Sequence, residues 1–286
     1  MASQQSDGPF VGTFVDQVVF VTGAARGQGR EHAVRFAEAG ADVIAVDLCE
    51  QLDSVAYPMA TPEDLAETVA LVEKTGRRIV AERCDVRDRD RLTAVVARGV
   101  DELGRLDFVL ANAGIMPATG PQGKDISAYL DAVDIMLNGV YFTVDAALPA
   151  LLANSDGGAV VITSSAAGLK SVSTDMSTMT HGAAGYTAAK HGVVGLMRHF
   201  AASLAARNIR VNSVHPGGVA TPMVLNEAMA GFITENPSFG ESQMPLMTLP
   251  MMESASVTDA IMFLCGPSGR YITGVALPID AGLQLR

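Results

Sequence analysis

A tyrosine and a lysine four residues apart, Tyr186 and Lys190, sit in the apolar stretch GYTAAKHGVVGLM from Gly185 to Met197. On a helix that spacing puts both side chains on one face. A free tyrosine has a pKa of about 10, so almost none is phenolate near neutral pH. A neighbouring ammonium favours the phenolate, commonly by about 1–3 pKa units. Such a phenolate is a base suited to taking a proton from an alcohol. Alone, Y-x-x-x-K recurs by chance in helices, and its surroundings give it weight.

Three further stretches supply those surroundings. VVITSSAAG ends at a pair of serines, of which Ser165 can hydrogen-bond a reacting oxygen and Ser164 is the rival. Asn112–Gly114 (NAG) lets a backbone pass close to a cofactor, and Thr221 in HPGGVATPM can bind a nicotinamide amide. Upstream, TGAARGQGR places glycines at 23, 27 and 29. Glycine allows a tight turn and a close approach of pyrophosphate to a helix start, where free N–H groups favour anions. The spacing is G-x-x-x-G-x-G, not the general G-x-G-x-x-G fingerprint. Asp47 follows 18 residues after Gly29. It can accept hydrogen bonds from adenosine ribose hydroxyls and repel a 2′-phosphate, favouring NAD over NADP; a strand-end turn aspartate is the alternative. Asp85 can contact adenine or cap a helix.

The elements that must position these residues alternate. Strands are expected in Gln17–Gly23, Ala41–Asp47, Arg77–Val86, Arg105–Gly114, Gly157–Ser165, Asn208–Gly217 and Tyr271–Asp280. Helices are expected in Gly29–Gly40, Thr61–Thr75, Asp88–Leu103, Ile126–Leu152, Gly185–Arg207 and Ala255–Leu264. Such alternation implies an α/β, doubly wound Rossmann fold, a seven-stranded and mostly parallel sheet with helices on both faces. Pro278 assigns the last strand to an edge. One domain is expected over 13–286 after a loose tail at 1–12, with long loops near 48–62, 166–184 and 221–253. Each loop follows a strand, so each rims the edge where such folds bind ligands.

The 286 residues are 49% hydrophobic, enough for a sizeable core, and carry a net charge of −11. That acidity argues against a nucleic-acid partner. Cys49, Cys84 and Cys265 match no metal template and read as buried free thiols of a reducing compartment. No apolar run is expected to reach the roughly 18 residues of a membrane span. The N-terminus lacks a signal-peptide pattern, so a cytoplasmic protein is expected.

T-G-x-x-x-G-x-G, N-A-G, S…Y-x-x-x-K and P-G, in this order from about Gln17 to Gly282, resemble the short-chain dehydrogenase/reductase family. The resemblance implies Tyr186 as general base, Lys190 as its tuner and ribose ligand, and Ser165 as orienter of the substrate oxygen. Asn138 in IMLNGVYFT would match the family's helix asparagine, which supports a proton relay. The implied cofactor set is Gly23, Arg26, Gln28, Gly29, Asp47, Asp85, Val86, Asn112, Ala113, Gly114, Tyr186, Lys190, Pro216, Gly217, Val219 and Thr221. Ser165 and Tyr186 stand 21 residues apart, more than is usual there, so the intervening residues are expected to overhang the substrate pocket. His181 among them can reach substrate or stay exposed.

TGAARGQGREHAVRFAEAGADVIAVDLC, the insertion that follows it and AAKHGVVGLMR resemble the mycofactocin-associated, carveol dehydrogenase-like subfamily. That resemblance implies tightly held NAD, an electron-accepting redox partner of the mycofactocin type and a homotetramer. Met223, Met229, Met244, Met247, Met251 and Met252, with Phe232 and Phe239, suit an adaptable cover for a terpenoid-like secondary alcohol or ketone, or packing against neighbours. The alternatives are a carbonyl reductase with freely exchanging NAD(H) and a non-catalytic NAD-binding sensor.

Overall fold

The computed structural model describes residues 10–173 and 175–285. Of the expected tail, 1–9 lie outside the described residues. Residues 10–12 already belong to a turn that leads to Phe14, which is fully buried and stacks on Phe36 with centroids 4.7 Å apart.

Seven strands form one sheet: β1 (Val18–Thr22), β2 (Asp42–Asp47), β3 (Ile79–Arg83), β4 (Phe108–Ala111), β5 (Gly158–Thr163), β6 (Ile209–Pro216) and β7 (Ala276–Ile279). Their order is β3-β2-β1-β4-β5-β6-β7, with every neighbouring pair parallel. β7 is an edge strand, and its Pro278 pairs with His215 in the ladder.

The strands read as continuous apolar runs because both faces are covered. Alternate residues serve opposite layers. Val18 and Phe20 join one core with α3 (Arg89–Leu103), α5 (Gly139–Ala153) and α6 (His181–Leu204). Val19 and Val21 join the other with α1 (Gly27–Glu38) and α9 (Ser254–Cys265).

Polar caps set the helix starts. Thr61 and Asp64 form a reciprocal capping box on α2 (Pro62–Lys74). Thr180 Oγ1 accepts the Ala183 N–H at 3.0 Å, so α6 begins at His181, four residues before the expected start. The expected helix over Ile126–Leu152 is interrupted. α4 (Ile126–Val133) passes through a π-helical segment, Asp134–Asn138, before α5. Against expectation, this combined run to Ala153 has the length and mean hydropathy (1.5) of a membrane-crossing helix. Half of that window is buried within the protein, as in a core helix. The 221–253 loop holds two short helices, α7 (Glu227–Glu235) and α8 (Pro237–Ser242). The three cysteines are free and buried, as expected.

Candidate active site

A cleft opens at the carboxyl ends of the strands. One end of it is the glycine turn between β1 and α1. Gly23 and Gly27 have φ of +69° and +56°. A Cβ on Gly29 would lie 1.9 Å from the Gly23 carbonyl oxygen, and one on Gly23 would lie 2.9 Å from Ala113 Cα. No side chain caps α1 at Arg26, which leaves its first N–H groups for an anion. Gln28 Oε1 is buried beside the cleft without a hydrogen-bond partner among the described residues. A pyrophosphate cradle with an unspent polar atom fits a dinucleotide.

Asp47 reaches the cleft from the end of β2. Its carboxylate accepts the Ala25 N–H at 2.9 Å and the Cys49 N–H at 3.2 Å, tying the glycine turn to the strand end. Burial pushes its pKa up, and these backbone hydrogen bonds oppose the rise. A carboxylate has about four acceptor sites, so capacity remains for ribose hydroxyls. Asp85 and Val86 also line the cleft. Asp85 is gripped by Arg87, whose Nη2 donates to Oδ2 at 2.6 Å. Arg87 Nη1 donates onward to Asp131 at 3.1 Å.

Asn112, Ala113 and Gly114 form the wall beyond β4. Thr22 Oγ1 accepts the N–H groups of Asn112 and Ala113, both at 3.1 Å. Thr221 stands opposite, its Cγ2 3.4 Å from where a Gly27 Cβ would lie. Arg26 and Ser164 line the cleft, while Ser165, Pro216, Gly217 and Val219 are outside its lining. Pro216 and Gly217 are taken up by pairing with β7, and Val219 is buried in the core beside α9.

Tyr186 and Lys190 meet at the cleft from one face of α6, 6% and 4% exposed. The ammonium is 5.8 Å from the phenol ring centroid and donates to the Thr163 carbonyl at 2.8 Å. Burial pushes Lys190 down to about 8. It pushes the Tyr186 phenol up, opposed by a hydrogen bond from Ser165. Within the protein alone, burial is the larger effect on the phenol, and the expected lowering by lysine is not seen. Ser165 Oγ accepts the Ala167 N–H at 3.1 Å, so its own proton is available to the phenol oxygen. The rival Ser164 is spent on the Lys190 carbonyl at 2.8 Å.

Asn138 does not join them. It is exposed, and its Nδ2 donates to Asp134 at 3.0 Å. Met136 lines the cleft instead, fully buried, with Sδ 3.5 Å from where a Gly114 Cβ would lie. On this π-helical run the two residues point to different sides: Met136 is buried and Asn138 exposed.

The long loops close around the cleft. Residues 48–61 form a strap. Arg26 Nη2 donates to the Pro58 carbonyl at 2.6 Å, and Ser54 Oγ to Asp131 at 2.6 Å. The Tyr57 hydroxyl accepts the Met116 N–H at 3.2 Å, and its ring lines the cleft. Sequence reasoning flagged this loop by length but named none of these contacts. Across the mouth, Lys170 Nζ donates to the Ser242 carbonyl at 3.3 Å. Ser177 Oγ donates to Asn236 at 2.9 Å, and Ser238 Oγ to Asp175 at 2.9 Å. Met223 lines the cleft, Met229 and Phe239 are buried, and Met244, Met247 and Met251 are at least half exposed. His181 is exposed at the first turn of α6.

Residues 23–284 match a family model described as enoyl-(acyl carrier protein) reductase. The (−)-trans-carveol dehydrogenase of Rhodococcus erythropolis is 45% identical over 280 residues, 94% of this chain and 98% of that protein. The chain belongs to the short-chain dehydrogenase/reductase family. An uncharacterized oxidoreductase of Mycobacterium tuberculosis is 48% identical over 93% of this chain and 95% of its own. The crystal structure of carveol dehydrogenase from Mycobacterium avium in complex with NAD superposes with a TM-score of 0.87. It is 41% identical, over 96% of this chain and 100% of that one. The short-chain dehydrogenase/reductase fold and its seven-stranded parallel sheet thus match the architecture expected from the sequence.

Proposed function

We propose that the protein oxidises a hydrophobic, terpenoid-like secondary alcohol to a ketone with NAD. The observation that carries this reading is the meeting of Tyr186 and Lys190 at a cleft whose far end is a glycine cradle, with Ser165 beside the phenol. Ser165 holds the alcohol oxygen and Tyr186 takes its proton. Lys190 supplies positive charge beside the phenolate and a donor for the cofactor ribose. When bound, NAD accepts the hydride from the alcohol carbon. Gly23, Gln28 and Gly29 hold its pyrophosphate, Asp47 its adenosine ribose, and Thr221 its amide. Fixing both reactants beyond the strand ends gives much of the acceleration.

The strap over residues 48–61 supports tight retention of the cofactor. Its bonds to Arg26, Asp131 and Met116 join the cleft's two sides. A mycofactocin-type acceptor would then reoxidise the bound cofactor. A cytoplasmic homotetramer completes the proposal, with β7 and the long helices as interfaces.

The test is made on purified protein with no cofactor added. After extensive dialysis the protein is denatured and released NAD(H) is measured by mass spectrometry. Near-stoichiometric NAD, with turnover of terpenoid alcohols through an artificial acceptor, supports the proposal. An empty protein that forms NADH from the same alcohols removes the tight-cofactor part. Failure with the whole panel removes the catalytic reading.

A further inference from the structure

Behind Ser165 lies a buried imidazole that the reaction above does not use. His215 is on β6, is fully buried, and has both ring nitrogens engaged. Nδ1 is 2.8 Å from the Ser165 carbonyl oxygen, and Nε2 is 2.8 Å from Ser213 Oγ. A carbonyl oxygen only accepts, so Nδ1 carries the proton. Nε2 is then bare and accepts the Ser213 hydroxyl. The two partners together fix one tautomer.

The other bonds around Ser165 point the same way. Its carbonyl also accepts the Gly168 N–H at 2.9 Å, and Gln284 Nε2 donates to the Ala166 carbonyl at 2.8 Å. A serine side chain has one heavy-atom torsion, so the direction of its hydroxyl follows from where its peptide is held. An apolar side chain would fill the same space, whereas a buried polar ring is tolerated when its hydrogen bonds are met. Burial lowers the pKa of His215, which keeps the single-proton pattern at neutral pH.

We infer that His215 is a positioning residue: its Nδ1–H, set by Ser213, holds the Ser165 peptide and so fixes the direction from which the serine hydroxyl meets the alcohol oxygen. The inference rests on the role given to Ser165 under the proposed function.

The test compares His215→Asn with His215→Leu in the NAD-loaded protein. Asparagine offers an amide N–H near the place of Nδ1–H, and leucine offers none. His215→Leu is expected to lower kcat by about tenfold to a hundredfold, the scale of a misplaced reacting group. KM for the alcohol and the NAD content should change little, and His215→Asn should recover most of kcat. Long-range proton–nitrogen spectra of the unsubstituted protein should show the Nδ1–H tautomer, and Ser213→Ala should weaken that preference. An Nε2–H tautomer overturns the inference. So does full kcat in His215→Leu when Ser165→Ala is impaired. Full activity in Ser165→Ala instead removes the role of Ser165, and this inference with it. Should the leucine variant fail to fold, the tautomer and the Ser213→Ala kcat decide.

Discussion

The Lys190 carbonyl accepts the Ser164 hydroxyl at 2.8 Å, while the Lys190 ammonium donates to the Thr163 carbonyl at 2.8 Å. One residue thus fastens the end of β5 to α6 through two bonds of opposite sense. Ser164 is a structural partner of the lysine, and its neighbour is left for chemistry. Ser164→Ala should cost about 1 kcal/mol of stability, the worth of one hydrogen bond, and leave most of the activity. Ser165→Ala should lower kcat/KM about a hundredfold. Urea unfolding and initial rates on the two variants separate these outcomes.

Tyr186→Phe removes the proton acceptor while keeping the ring. Turnover should fall by about a thousandfold, within the usual range for losing a general base. NAD content, read by mass spectrometry on the denatured protein, should be unchanged. Retained turnover would refute the assignment of the base.

The strap predicts a rate of cofactor loss. Ser54 Oγ donates to the Asp131 carboxylate, and a hydrogen bond to a charged group is worth about 1.5–3 kcal/mol. Ser54→Ala should therefore speed NAD release by about tenfold or more. The measurement is bound NAD against dialysis time. Equal curves for the variant and the unsubstituted protein would show that this contact does not hold the strap.

His32 makes stability depend on pH. It is fully buried on α1, its Nδ1 2.8 Å from Thr258 Oγ1, and burial pushes its pKa from 6.5 down to about 3. The unfolded chain binds more protons than the folded one between these values. Stability from this group is therefore complete above pH 6.5 and is lost as pH falls toward 3. The loss is on the order of a few kcal/mol. His32→Gln should flatten this part of the curve, checked by urea midpoints at pH 7 and in mild acid.

The sheet was legible because its strands are short β-branched runs bounded by glycine and polar turns, a local signal. The glycine turn and the Tyr186–Lys190 pair were legible because each lies within a few consecutive residues. Ser165 over Ser164 followed from family pattern; the structure adds that the Ser164 hydroxyl is bonded to the Lys190 carbonyl. Asn138 was misplaced because the π-helical segment and the face of the helix that meets the cleft depend on tertiary packing. Pro216, Gly217 and Val219 came from the family resemblance; the structure pairs the first two with β7 and buries Val219 in the core beside α9. Tyr57 and Ser54 escaped notice because their partners, Met116 and Asp131, are 59 and 77 residues away.

At Gly29 a single added methyl group would collide with the carbonyl of Gly23. That crossing cannot drift, while the half-exposed methionines along the rim have room to change. Diversification of this scaffold is therefore channelled. Room to refit a different substrate lies in the loops at 166–184 and 221–253, and the nucleotide end has none at this crossing.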